Sequence, residues 1–136
     1  MVKIMKHIAL LLLLVIATNA NADNALLGKW KDKSKPDVYR YEFAKNNDFI
    51  YTNTTNYSGK LNVNVSKGVW ETGAWLITNN KTGAKHSCRL TVYAETIECC
   101  FEYKFIANNL ILTNEHSTER YGSMCESRVL ISADKK

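Results

Sequence analysis

The chain has 136 residues, of which 46% are hydrophobic and 23% are charged, and its formal net charge is +5 at pH 7. A chain of this length forms one domain of ordinary size rather than several. A small positive charge is typical of a solvated surface, and it argues against a nucleic-acid-binding protein.

Residues 1–22 have the pattern of a bacterial signal peptide. Two lysines give a positively charged start, residues 8–17 are an uncharged apolar run, and residues 20–22 (Ala-Asn-Ala) match the small-x-small pattern that signal peptidases cleave. The apolar run is too short for a transmembrane helix, so we expect no membrane span. Cleavage would leave residues 23–136 as a single domain with a net charge of +3, either periplasmic or secreted.

The first polar stretch of the mature part is rich in lysine. Lysines alternate along residues 29–35 and, together with Arg40, could dock an acidic or phosphate-bearing partner. The simpler interpretation is a charged, solvated edge that also discourages aggregation.

Short alternating segments follow and predict β-strands. Apolar and polar residues alternate with a period of two in five segments: residues 38–43, 60–66, 97–105, 110–112 and 129–131. Asn-Asn and Gly-containing pairs separate them, and Asn tolerates the left-handed backbone of tight hairpins. No segment of the mature part has a convincing helical period. The pattern predicts an all-β domain of eight to ten short antiparallel strands, either a barrel or a sandwich.

Four cysteines lie in the mature part: Cys88, Cys99, Cys100 and Cys125. An even number in an exported chain predicts two disulfide bonds, and no CxxC spacing points to a metal site. A vicinal bond is disfavoured because adjacent strand residues point to opposite faces, so Cys88 is expected to bond to one of the adjacent pair and Cys125 to the other. Strand parity favours Cys88–Cys99 and Cys100–Cys125, and a bulge would reverse this choice.

Two Gly-x-Trp segments resemble motifs of small bacterial lipocalin-like domains. They are residues 28–30 and residues 68–70, the second followed by Gly73-Ala74-Trp75-Leu76. The resemblance covers most of residues 26–115 and implies a closed up-and-down barrel. It also implies that Gly28 and Trp30 close one end of the barrel, and that Arg128 of the last strand, or alternatively Arg120, lies across Trp30 in a cation–π contact.

The aromatic side chains are the main lead to a function. A lipocalin-like barrel would bind a small apolar or amphipathic molecule at its open end, and aromatic side chains commonly line such sites. Six are expected to line or flank the pocket: Tyr41, Tyr51, Trp70, Trp75, Phe101 and Tyr103. The alternative is that they simply form the core of a small β-domain.

The sequence does not indicate an enzyme. The two mature histidines, His86 and His116, lie in polar, turn-like surroundings, and no motif of a hydrolase, a zinc protease or a phosphate-binding loop occurs. We therefore expect no catalytic residue, metal or cofactor. One alternative to a ligand-binding barrel is a periplasmic protein-interaction module, such as a lysozyme or protease inhibitor, and another is a structural envelope protein with a filled barrel and no ligand. A positive net charge has the wrong sign for steering towards a basic lysozyme.

Overall fold

Eight antiparallel strands form a closed barrel in chain order. The computed structural model describes residues 24–78, 83, 85–118 and 123–134, apart from the side chains of residues 74–78 and 85–87, and the predicted signal peptide lies outside these residues. The strands are β1 (Gly28–Asp32), β2 (Tyr39–Phe43), β3 (Asp48–Tyr57), β4 (Lys60–Thr78), β5 (Lys85–Ala94), β6 (Ile97–Ile106), β7 (Asn109–Ser117) and β8 (Arg128–Ser132). Each strand pairs with the next, and β8 pairs with β1. The predicted antiparallel up-and-down barrel is confirmed.

The barrel has two distinct ends, because alternate connections of an up-and-down barrel lie on the same side. The upper end holds the β1–β2 loop, the β3–β4 and β5–β6 turns, and the segment before β8. The lower end holds the helical turn at residues 24–26, the β2–β3 connection with its 3₁₀ turn (Lys45–Asn47), the β6–β7 turn and the residues after β8.

Asparagine pairs form turns where the sequence predicts them. Asn46 and Asn47 connect β2 to β3, with φ of 63° and 64°, and Asn108 in the β6–β7 turn has φ of 70°. The short side chain of Asn tolerates this left-handed backbone, which other residues adopt only at a cost. The remaining pair, Asn79-Asn80, lies outside the described residues.

Side chains from all eight strands pack inside the barrel. The alternation predicted for β2 is confirmed, because Tyr41 and Phe43 are buried. In β6 the expected inward residues Cys99 and Phe101 are buried, but Cys100 between them is buried as well, and Phe105 is 38% exposed. Consecutive aromatic rings pack with centroids 5.1–6.2 Å apart along the series Tyr51, Tyr41, Phe49, Phe43 and Trp70. Tilted and edge-to-face pairs at such distances add to the stabilisation from burial.

The disulfide pairing favoured by strand parity is wrong. The bonds are Cys88–Cys100 and Cys99–Cys125. The reason is local. In an extended strand, residues three apart lie on opposite faces and about 10 Å from each other. Here, however, the Cys88 Sγ lies only 3.2 Å from the Thr91 Oγ1. The backbone between them departs from strict alternation, so Cys88 reaches Cys100, which lies opposite Thr91 in the sheet. Cys99 is left for Cys125 in the core.

Strand β4 is much longer than its neighbours and extends beyond the barrel. It pairs with β3 over residues 60–69 but with β5 only from Gly68 onward. The alternating run at residues 60–66 is a strand as expected, but its apolar side chains face solvent, with Leu61, Val63 and Val65 exposed by 72%, 55% and 49%. We call residues 54–67 the projecting hairpin, and no second layer formed by the described residues covers that face.

At Gly68, β4 passes from its pairing with β3 to its pairing with β5. A Cβ at Gly68 would overlap the carbonyl oxygen of Tyr93 and lie 2.7 Å from the Cα of Ala94. Both obstacles are backbone atoms of β5, which cannot move aside without disturbing the ladder. Only glycine fits this crossing.

We expect Gly68→Ala to lower the free energy of unfolding by about 2–3 kcal/mol, since overpacking against backbone forces the strands apart. Urea denaturation followed by circular dichroism measures the loss. Val69→Ala, at the adjacent exposed position, is the control and is expected to stay within about 0.5 kcal/mol of the parent. Equal stability of Gly68→Ala and the parent would contradict the close approach.

Candidate functional site

A short segment before β8, residues 123–127, closes the upper end of the barrel. Within it, Met124 and Cys125 are buried, and Cys125 is bonded to Cys99 of β6. The phenol of Tyr41 donates a hydrogen bond to the carbonyl oxygen of Met124 at 3.1 Å. We call this stretch the upper segment. It occupies the position where the lipocalin resemblance implies an open mouth.

Arg128, the first residue of β8, joins the upper segment to the barrel wall. Its Nε donates to the Tyr41 hydroxyl at 2.9 Å, and one terminal nitrogen donates to the Ser123 carbonyl at 2.8 Å and to the Glu126 carboxylate at 2.9 Å. The guanidinium carbon lies 3.6 Å from the centre of the Tyr39 ring. Only 6% of the Arg128 side chain is exposed. Such a charge is tolerated because it is paired and hydrogen-bonded.

The predicted cation–π contact between Arg128 and Trp30 is therefore wrong, since Arg128 stacks on Tyr39. The alternate, Arg120, lies outside the described residues. Trp30 pairs with Ser132, four residues further along β8 than Arg128. Four strand residues span about 13 Å, so the two side chains lie towards opposite ends of the barrel. Gly28 and Trp30 lie at the lower end, where the Trp30 Nε1 donates to the carbonyl oxygen of Leu26 at 2.9 Å.

The two phenols beneath the upper segment are hydrogen-bonded in their neutral form. Burial raises the pKa of Tyr41 well above its usual range, although Arg128 opposes this shift. Burial also raises the pKa of Tyr51, whose hydroxyl lies in hydrogen-bond contact with Ser123. Both side chains thus stay neutral at physiological pH.

Beside the upper segment lies a cleft of about 650 Å³, which we call the upper cleft. It lies between the β1–β2 loop and the start of β8, and it is lined by Asp32, Lys33, Ser34, Lys35, Tyr39, Glu126, Ser127, Arg128 and Val129. It is larger than two other clefts, of about 230 and 220 Å³, on the barrel wall near Trp30 and at the lower end near Trp70.

Asp32 shapes one wall of the upper cleft. Its buried carboxylate accepts hydrogen bonds from the Ser34 hydroxyl at 3.0 Å and from the Lys35 amide at 2.9 Å. These bonds turn the chain sharply after β1, as Asp commonly does in loops. As a result Lys33 and Lys35, which the sequence places on one face of a continued strand, lie instead in the loop that borders the cleft.

The structure distributes the six predicted ligand-binding aromatics differently from the expectation. Tyr41, Tyr51, Trp70 and Phe101 are packed in the core, as in the alternative interpretation of these residues. Tyr103 is half-buried towards the lower end, where its ring packs edge-on against Phe105. The side chain of Trp75 lies outside the described part of the chain.

Sequence reasoning did not select Tyr39, the aromatic residue that lines the upper cleft. Its alternation with Tyr41 and Phe43 identifies the inward face of β2, and its place as the first residue of the strand puts it at the upper rim. Asp32 and Glu126 gave no signal in the sequence, because their roles depend on loops meeting in space.

The upper cleft presents charged, hydroxyl and aromatic side chains. Its ionisable groups are the carboxylates of Asp32 and Glu126, the phenol of Tyr39 and three cationic side chains. Among the described residues, no cluster of three or more His, Cys, Asp and Glu side chains is arranged to hold a metal ion.

Within the described part of the chain, no helix is long and apolar enough to cross a membrane. Comparison with protein-family models, curated proteins and solved structures finds no match to this chain.

Proposed function

We propose that this chain is an exported, non-catalytic barrel that binds a small amphipathic molecule in the upper cleft. The observation that supports this is a cleft of about 650 Å³ in which an aromatic ring carries a stacked guanidinium. Small-molecule sites typically have volumes of about 300–1,000 Å³ and combine apolar surface with a few fixed polar groups. Export is supported by the signal-like pattern of residues 1–22 and by two disulfide bonds, which are typical of oxidising compartments.

The charges bordering the cleft favour a ligand with an anionic group. Both acidic side chains are already engaged, Asp32 by the β1–β2 loop and Glu126 by Arg128. Lys33 and Lys35 are exposed at the rim and add two positive charges beside the cleft. A carboxylate or phosphate group at the rim would find these ammonium groups within reach. An apolar chain would lie against Tyr39 and Val129.

The filled interior argues for the rim rather than the barrel cavity as the binding place. Core side chains and the upper segment occupy the volume in which larger lipocalins hold their ligands. A ligand in the cleft needs no displacement of the buried aromatics. We therefore transfer the expected ligand-binding role from the core aromatics to Tyr39 and its neighbours.

Titration of the purified, oxidised protein with dodecanoate tests the proposal by isothermal calorimetry, with dodecyltrimethylammonium as the matched cationic probe. We expect the anionic probe to bind and the cationic one to bind at least about tenfold more weakly. The double variant Lys33→Ala/Lys35→Ala is expected to weaken dodecanoate binding about tenfold, from two exposed ion pairs of about 0.7 kcal/mol each.

Lys45→Ala removes an exposed lysine of the 3₁₀ turn at the lower end, the opposite end of the barrel from the cleft, and serves as the control. Its affinity for dodecanoate should equal that of the parent. Two results would contradict the proposal: equal affinity for both probes, or equal effects of the cleft and control variants. A native mass spectrum of protein taken from its own host, recorded without reductant, would then identify the natural ligand.

A further inference from the structure

The projecting hairpin exposes an unpaired strand edge. The ladder of β4 with β5 begins at Gly68, so among the described residues nothing pairs with that side of β4 over residues 60–67. Such an edge presents a row of backbone donors and acceptors, and natural proteins usually cover it or block it with charges, bulges or proline. The stretch between Lys60 and Lys67 has none of these blocking features.

The register shows which backbone groups are free. The amide of Thr54 donates to the carbonyl of Val38 at 2.8 Å, so the even-numbered residues of β3 turn their backbone groups towards β2. In an antiparallel ladder their partners on β4 then turn their own groups away from β3. Those partners are Leu61, Val63 and Val65, opposite Asn56, Thr54 and Thr52. Lys67, opposite Ile50, has the same parity, so the residues with free backbone groups are these three exposed apolar ones and the lysine that flanks them.

We propose that two copies of this chain associate through this edge, with the two β4 strands antiparallel about Val63. Val63 then faces its own counterpart, and Leu61 of each copy faces Val65 of the other. Three pairs of this kind supply about six backbone hydrogen bonds. They also join the two apolar stripes into one cross-strand patch, the unit that stabilises a sheet.

Charge and size favour a second copy as the occupant. In this register each Lys60 faces Ser66 and each Lys67 faces Gly59, so no two lysines oppose each other. The stretch between the two lysines is uncharged, so an uncharged partner strand fits it without placing an unpaired charge beside the apolar side chains. The same stretch of a second copy meets this need. Seven residues a side is much smaller than a standard interface of about 20–30 residues a side, so we expect a dissociation constant in the micromolar range or weaker.

Sedimentation equilibrium of the purified, oxidised chain tests the proposal over a range from about 1 to 500 µM, which brackets such an affinity. The parent is expected to pass from monomer to dimer over this range. Val63→Lys places two ammonium groups opposite each other on the symmetry axis and is expected to raise the dissociation constant at least about tenfold. Because Val63 is exposed, this variant keeps the fold.

The control is Val69→Lys. Val69 lies on the same strand and the same face with 48% exposure, but β3 and β5 fill both of its edges. It should dimerise like the parent. A parent that stays monomeric throughout, a Val63→Lys variant that dimerises unchanged, or a hairpin that binds an unrelated extended peptide but not itself would each overturn the proposal.

Discussion

Trp30→Ala is expected to lower the free energy of unfolding by about 3–5 kcal/mol, the largest single-residue effect that we foresee. The indole is buried at the lower end, and its Nε1 ties the helical turn at residues 24–26 to the barrel through the Leu26 carbonyl. Its ring also lies 6.1 Å from that of Phe105. The truncation would leave a cavity and release the N-terminal turn. Because small domains are stable by only about 5–15 kcal/mol, much of the stability would be lost.

Trp30→Phe separates the two contributions. Phenylalanine retains most of the buried apolar surface but loses the indole hydrogen bond, so we expect a loss of about 1–2 kcal/mol. Urea denaturation curves of both variants, followed by far-ultraviolet circular dichroism, measure the difference. A folded Trp30→Ala protein within about 1 kcal/mol of the parent would show that Trp30 does not close the lower end.

Removing the Cys99–Cys125 bond is expected to have a comparable effect. The bond spans 26 residues and fixes the upper segment to β6. By loop-closure entropy, the double variant Cys99→Ala/Cys125→Ala should lose about 3–4 kcal/mol. The upper segment would also be freed from the barrel, so the network around Arg128 would loosen. If the upper cleft binds ligand, its affinity for dodecanoate should fall in the same variant, as calorimetry would show.

The second disulfide provides the matched comparison. Cys88–Cys100 spans only 12 residues and joins strands that are already paired, outside the main core cluster. The double variant Cys88→Ala/Cys100→Ala should therefore lose less stability, by about 0.7 kcal/mol from the loop lengths alone. It should also leave binding in the upper cleft unchanged. If the Cys88→Ala/Cys100→Ala variant were instead the less stable of the two, the upper segment would hold its place without the Cys99–Cys125 bond.

Several features of the fold follow directly from local patterns. The alternation at residues 38–43 and 97–105 predicts the strands β2 and β6, and for β2 it also predicts the buried face. The same pattern at residues 60–66 predicts a strand but misleads about its environment. Alternation shows that a strand has one apolar face, and it does not show whether another layer covers that face. Here Leu61, Val63 and Val65 project beyond the barrel.

Pairings between distant residues needed three-dimensional information for a different reason. Strand parity assumes an unbroken period of two, and the irregular backbone between Cys88 and Thr91 breaks it, so the predicted disulfide pairing failed. The family resemblance placed an arginine on the last strand correctly but gave it the wrong aromatic partner. Whether that partner is Trp30 or Tyr39 depends on how far along β8 the arginine lies, which only the register of β1 and β8 defines.

Alternation, asparagine turns and an even number of cysteines are enough to specify a disulfide-bonded domain made of antiparallel strands, because each of these signals is local in the chain. Tertiary structure decides the position of the upper segment, the residues that line the upper cleft and the open edge of β4. Each of them arises where loops or strands far apart in sequence meet, and their meeting depends on strand length, register and stagger around the barrel. Those quantities are set by the packing of all eight strands together, since closing the barrel constrains every strand at once.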